Sequence, residues 1–220
     1  MSQDLRPQLE AGIHALSLDL APAQVDALME FMGLLGKWNK VYNLTAVRDP
    51  QEMLTHHLLD SLAAVPALRR HLDGLPAREG RMAMLDVGSG GGLPGVVFAI
   101  CCPDVDVNCV DTVGKKAAFI QQVAVTLRLP NLRGIHSRVE QLATHYPLIS
   151  CRAFASLVDF TTWSRQALEE GGVWLAMKGK HPDEEIAALA GDVQVFHVEP
   201  LQVPGLQAER CIVWLKPHAT

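Results

Sequence analysis

Met82-Ala-Met-Leu-Asp-Val-Gly88-Ser-Gly90-Gly-Gly92-Leu-Pro-Gly95 is the stretch whose reading decides the fold. Its first six residues, apolar except for Asp86, read as a buried strand, and Pro94 to Cys102 reads as an apolar helix. Between them lies a glycine-rich turn. Glycines there allow a tight bend without a Cβ clash and let the backbone approach a ligand, while the helix start offers free N–H groups.

Working outward, short apolar runs alternate with helical segments. Further strands are expected at Val105 to Val110, Leu132 to Ile135, Leu148 to Phe154, Gly172 to Met177, Val193 to Val198 and Arg210 to Leu215. Helices are expected at Lys115 to Leu127, Val139 to Ala143, Phe160 to Leu168 and Asp183 to Ala190. This alternation predicts an α/β fold with a seven-stranded, mainly parallel, Rossmann-like sheet and ligands at the carboxyl ends of its strands. Before residue 82 the period is helical. Val25, Leu28, Phe31, Met32, Leu35 and Trp38 form one stripe, and Asp49-Pro50 with Glu52 announces a second helix running to about Leu68. Thr45 to Arg48 reads as their connection. Residues 1–81 are therefore expected to be an N-terminal helical extension, and residues 82–220 the α/β core.

The chain has 220 residues, 49% of them hydrophobic, which is enough to bury a core without disulfide or metal staples. Five cysteines with no Cys-x-x-Cys pair point to reduced thiols and a cytoplasmic protein. No basic-then-apolar leader opens the sequence, and the near-apolar run Leu93 to Cys102 is far short of the ~18–20 residues of a membrane span. His56, His57, Asp60 and Ser61 invite a metal reading, but no further ligands stand at supporting spacings, so no metal is expected. A formal charge of -5 argues against nonspecific nucleic-acid binding.

Two cofactor classes fit the glycine turn. Read from Gly90, the residues spell Gly-x-Gly-x-x-Gly with Asp111 some twenty positions on, which suits NAD and an oxidoreductase. Read from Asp86, they spell Asp-x-Gly-x-Gly-x-Gly, the first motif of class I methyltransferases that use S-adenosylmethionine. A carboxylate beside the turn would repel a pyrophosphate and suit the cationic methionine part, which favours the methyl donor. In either register Asp111, ending the second strand, can accept both ribose hydroxyls. A noncatalytic nucleotide-binding module is the third possibility.

The flanking blocks narrow the choice. Trp38-Asn-Lys-Val-Tyr-Asn-Leu-Thr-Ala-Val-Arg48, His57-Leu-Leu-Asp-Ser61, Asp86-Val-Gly-Ser-Gly90, Ser137-Arg-Val-Glu140 and Arg152-Ala-Phe-Ala-Ser156 resemble the glucose-inhibited division protein B family of bacterial small-subunit ribosomal RNA methyltransferases. The resemblance runs from about Leu35 to Lys216. It implies transfer of a methyl group from S-adenosylmethionine to N7 of one guanine in 16S ribosomal RNA, and low-level streptomycin resistance when the enzyme is lost. It also implies cofactor contacts at Gly88, Leu93, Val139, Glu140 and Arg152; Gly90 and Asp111 join them on the physical grounds above. Arg152 is the odd member, because a guanidinium suits a carboxylate or a phosphate better than a sulfonium.

Guanine N7 carries an in-plane lone pair and no hydrogen, so no general base and no catalytic residue is expected; alignment can lower the barrier by about 7–11 kcal/mol. Cys101, Cys102 and Cys109 read as packed bystanders. Substrate-binding candidates are Asn39 and Asn43, four apart on one helix face, with Arg48 and Lys178; the two asparagines could equally cap their helix. His57 and Asp60 are expected to tie the second helical segment to the loop over the cofactor. With a net negative chain, a preformed 30S particle or assembly intermediate is the expected partner rather than bulk RNA, and no membrane.

Overall fold

The computed structural model describes residues 5–75 and 80–218. The expected segment limits at residues 1 and 220 lie outside the described residues.

Seven strands form one sheet: β1 Met82–Val87, β2 Val105–Asp111, β3 Leu132–His136, β4 Tyr146–Arg152, β5 Leu168–Lys178, β6 Val193–Leu201 and β7 Arg210–Pro217. Their order is β3-β2-β1-β4-β5-β7-β6. Strands β1 to β5 run parallel, and β7 is antiparallel to both neighbours. The strand order reverses at β1, where β2 lies on one side and β4 on the other. A parallel sheet of this kind opens its ligand crevice at that switch point.

Side chains alternate across the sheet, so each strand serves two cores. Met84, Val107, Leu148, Leu175 and Ile212 face one, while Leu85, Val110, Ile149, Trp174 and Val213 face the other. The first core is covered by six helices, α1 Arg6–Ala15, α2 Pro22–Tyr42, α4 Asp60–Leu62, α5 Val65–Asp73, α6 Gly95–Cys101 and α7 Gly114–Thr126, and by the turn Leu54–Leu59, into which α3 Pro50–Met53 leads. The second lies under α8 Leu157–Ser164 and α9 Asp183–Ala187. Coverage on both faces is what a near-continuous apolar strand such as β1 requires. The helices before Met82 thus share a core with α6, α7 and the sheet.

The elements differ from expectation in several places. Strand β5 starts at Leu168 rather than Gly172, α8 starts at Leu157 rather than Phe160 and ends at Ser164, and the expected helix Val139 to Ala143 is a single 3-10 turn, Val139–Gln141. Helix α1 has no counterpart in the sequence pattern; Leu9 and Ile13 are its buried stripe, four residues apart, and Pro7 sits in its first turn. The expected helix from Pro50 to Leu68 begins as expected, with Asp49 accepting from the Gln51 and Glu52 amides at 2.9 and 3.0 Å. It then widens into a π-turn at Leu54–Leu59 and breaks before α5, where Pro66 cannot donate to the preceding turn. Strand β4 starts at Tyr146 and ends at Arg152 instead of Phe154, because Ala153 takes a left-handed φ of 49°. Helix α9 is shorter than the expected Asp183 to Ala190.

All five cysteines are free and buried. Among the described residues no helix is long and apolar enough to cross a membrane.

Candidate cofactor and substrate site

The carboxyl ends of β1, β2 and β4 surround a cavity of about 480 Å³. Gly88, Asp111, Val139, Glu140, Phe154 and Trp163 are among its walls. Gly88 closes β1 with φ 68°, and a Cβ there would come within 2.1 Å of the Phe154 ring, so only glycine leaves this wall as it is. Phe154 meets Trp163 edge to face at 5.8 Å between ring centroids. Together with buried Val139 they give the cavity an apolar wall that starts beside Gly88.

Asp111 ends β2 and is 6% exposed. One carboxylate oxygen accepts from the Gly90 amide at 3.0 Å and the other from the Val113 amide at 2.8 Å; Lys116 stands 3.8 Å away. The side chain therefore joins the glycine turn to the start of α7 and still borders the cavity, where a carboxylate oxygen can accept a further hydroxyl. Gly90 (φ 54°) contributes through its amide rather than as cavity wall. Leu93 is buried behind the turn among the first core.

Asp86 does not meet the ligand in the manner the electrostatic reading assumed. It is wholly buried, and its carboxylate accepts from the Gly95 amide at 3.1 Å and the Ser150 hydroxyl at 2.9 Å. It fastens the turn to α6 and to β4. Burial pushes its carboxyl up to about 6, against the pull of the hydrogen bonds from Ser150, Ser89 and Gly95.

A second cavity, about 370 Å³, adjoins the first; Ala153 lines both. Its walls include His57, Asp60, Arg152, Lys178 and Arg210. Asp60, from α4, accepts from Arg152 at 2.8 Å and from Arg210 at 2.7 Å. Arg152 has thus found the carboxylate its chemistry calls for, but a protein one, and it stands in the second cavity rather than the first. Lys178 is committed to Glu185 at 2.7 Å and to the Ala155 carbonyl at 2.9 Å. His57 accepts or donates with the Thr45 hydroxyl at 2.6 Å; burial and the Arg152 charge push its imidazole down to about 4, so it is neutral near pH 7. Two guanidinium groups against one carboxylate leave this cavity positive.

The two candidate asparagines part company: Asn43 is the C-terminal cap residue of α2, and Asn39, within the helix, holds the loop that follows. Asn39 is 2% exposed, donates to the Val47 carbonyl at 2.9 Å and accepts from the Thr45 amide at 2.8 Å, which shapes the 43–48 loop. Asn43 ends α2 in the left-handed region and accepts from Arg48 at 2.6 Å. Asn43 and Arg48 are exposed. The loop itself lies over the glycine turn, with Leu44 packed beside Gly90 and Gly91. Sequence reasoning missed Arg210 and Phe154 as site residues. Phe154 sat inside a motif block, while Arg210 carried no local signal and reaches the site only through the β5–β7 pairing. Among the described residues no three His, Cys, Asp or Glu side chains converge in a metal-binding group.

Residues 24–213 match the family described as GidB, rRNA small subunit methyltransferase G. The chain is 69% identical over 222 residues to the Ribosomal RNA small subunit methyltransferase G of Acidovorax ebreus (strain TPSY), covering 98% of this chain and 96% of that one. It is 71% identical over 215 residues to the enzyme of the same name from Acidovorax sp. (strain JS42), covering 96% and 95%. Among solved structures, the SAM-dependent methyltransferase from Geobacter sulfurreducens in complex with S-adenosyl-L-homocysteine superposes with a TM-score of 0.51 at 12% identity, covering 86% of this chain and 98% of that one. That likeness concerns the fold.

Proposed function

The chain belongs to the GidB family of rRNA small subunit methyltransferases, and from that membership we propose that it transfers the methyl group of S-adenosylmethionine to N7 of one guanine in 16S ribosomal RNA. It is an S-adenosylmethionine-dependent ribosomal RNA methyltransferase, and the oxidoreductase and noncatalytic readings fall with that membership. The observation that carries the site assignment is the pair of adjoining cavities that meet at Ala153, one with a carboxylate and an apolar wall, the other positive.

The residues of the first cavity fit the cofactor. Gly88 leaves the cavity wall free of a side chain, Asp111 is an acceptor for ribose hydroxyls, and Val139 with Phe154 offers an apolar face for adenine beside the Glu140 backbone. Gly90 and Leu93 serve by shaping the turn. When bound, the cofactor supplies an electrophilic methyl group.

The second cavity suits the target nucleotide. Arg152 and Arg210, oriented by Asp60, can grip a phosphate while the base lies toward Ala153, and Lys178 closes the wall with Glu185. N7 carries no hydrogen, so the chain has only to hold base and methyl group in line and exclude water; no side chain removes a proton. Neutral His57 keeps the 43–48 loop, and with it Leu44, seated over the glycine turn. Asn43 and Arg48, exposed at the end of α2, remain RNA contacts in this reading. The local excess of cations answers the overall charge of -5: recognition is local, a 30S particle or assembly intermediate is the partner, and the enzyme works in the cytoplasm.

Equilibrium dialysis against labelled S-adenosylmethionine and labelled NAD, followed by methyl transfer to 30S particles from a strain lacking the enzyme, tests the reading. Binding of the methyl donor and labelled 16S RNA are expected. A protein that binds NAD alone, or that leaves the particle unlabelled, overturns it.

A further inference from the structure

Beside α2 and the 43–48 loop, sharing no wall residue with the cofactor cavity, lies a groove of about 770 Å³. Its floor is apolar and rich in sulfur, with Met29, Met32 and Met53, and its rim carries Lys37, Lys40 and Arg48. No carboxylate lines it, and none of the three cations has an ion-pair partner among the described residues. Asp49, next in sequence to Arg48, is occupied in capping α3. In a chain of net charge -5, three unpaired cations around an apolar trough form a local field of the opposite sign.

The groove is also wired to the site. Asn39, one of its walls, holds the Thr45 amide; Thr45 holds His57 at 2.6 Å; His57 stands 3.4 Å from Arg152 in the target cavity. An occupant that fixes Arg48 therefore also bears on the loop over the glycine turn, which Arg48 joins through Asn43 and which Asn39 holds through Thr45 and Val47.

We propose that this groove is a second docking surface for the substrate ribosomal RNA, holding a short unpaired stretch that flanks the target guanine. Phosphates meet Lys37, Lys40 and Arg48, and an unstacked base lies on the methionine floor, whose polarisable thioethers pack well against π-faces. Charge complementarity calls for an anionic occupant, and the hydrogen-bonded link from this groove to Arg152 makes the RNA substrate that occupant. The inference rests on the ribosomal RNA reading above and names an additional part of the same substrate.

The test uses Lys37→Gln/Lys40→Gln, two positions outside the cofactor cavity, with affinity for S-adenosylmethionine as the check on folding. Methyl transfer to 30S particles lacking the modification is measured over a salt series. KM for the particle should rise about tenfold, and the slope of log KM against log salt should flatten by about 1.4, roughly 0.7 for each single-strand phosphate that the variant no longer neutralises. Unchanged KM and slope overturn the proposal. Separately, Gly36→Cys, where a Cβ meets nothing within 4 Å, carries a photoreactive label. Crosslinks should fall on 16S RNA, and crosslinks to a ribosomal protein instead overturn the choice of occupant. Wild-type enzyme that fails to label the particle would sink the underlying function, whereas an active wild type with an unaffected double variant sinks the groove alone.

Discussion

The carboxylate of Asp60 accepts a hydrogen bond from Arg152 at 2.8 Å, joining the helical extension to the end of β4 across 92 positions of sequence. Its other oxygen accepts from Arg210 at the start of β7. Asp60 is 3% exposed. One residue from the helices before Met82 thus holds two guanidinium groups of the sheet in the wall of the second cavity.

Removing that carboxylate should cost more than a surface pair would. Asp60→Ala leaves two largely buried cations without their shared partner, and a loss on the order of 3–5 kcal/mol is expected from urea denaturation. Asp60→Asn, which keeps one acceptor, should lose less stability yet still raise KM for the particle. Affinity for S-adenosylmethionine should hold, since Asp60 lies outside the cofactor cavity. A variant with normal KM for the particle would remove Asp60 from substrate positioning.

Asp111 is expected to matter for cofactor affinity. Its carboxylate borders the cavity and also holds the Gly90 and Val113 amides. Asp111→Ala removes a charged acceptor worth about 1.5–3 kcal/mol per hydrogen bond, so calorimetry should show S-adenosylmethionine binding weakened by about ten- to a hundredfold. Unchanged affinity would take Asp111 out of the site.

Two buried groups pull stability in opposite directions with pH. His57 sits near 4 against 6.5 for an ordinary imidazole, so its contribution is complete above pH 6.5 and is lost as pH falls toward 4. Asp86 sits near 6 against 3.8, so its contribution is complete below 3.8 and is lost as pH rises through 6. Each shift corresponds to about 3 kcal/mol, and between pH 4 and 6 the two nearly cancel. Asp86→Asn removes one of them. Urea titrations from pH 4 to 7 should show its stability rising with pH more steeply than that of the wild type, whatever its absolute value. Parallel profiles would mean that Asp86 titrates normally.

Much of this was legible in the chain itself. The onsets of β1, β2, β3, β6 and β7 coincide with the apolar runs at Met82, Val105, Leu132, Val193 and Arg210; for β1 and β7 burial on both faces gives a near-continuous apolar run, while β2 and the edge strands β3 and β6 show only short ones. The start of α3 was equally plain from Asp49 and Pro50. What was not legible depends on partners distant in sequence. Asp86 is turned inward by Ser150, 64 positions away, and the same residue read in isolation looks like a ligand-facing charge. Arg152 looked anomalous as a cofactor contact because nothing local reveals Asp60. Asn39 and Asn43 had two satisfactory roles, and only the course of the 43–48 loop shows that Asn39 is used up holding that loop while Asn43 ends the helix. Helix α1 offers a stripe of just Leu9, Gly12 and Ile13, too short to stand out without the packing that buries it.

This chain is expected to methylate one base at one atom. The direct measurement is to incubate wild-type enzyme and labelled S-adenosylmethionine with 30S particles from a strain lacking the enzyme, and to identify the product by mass spectrometry of nuclease fragments. A single N7-methylguanine in 16S ribosomal RNA is expected. A methyl group on an exocyclic amine, on another base, or spread over many guanines would contradict it.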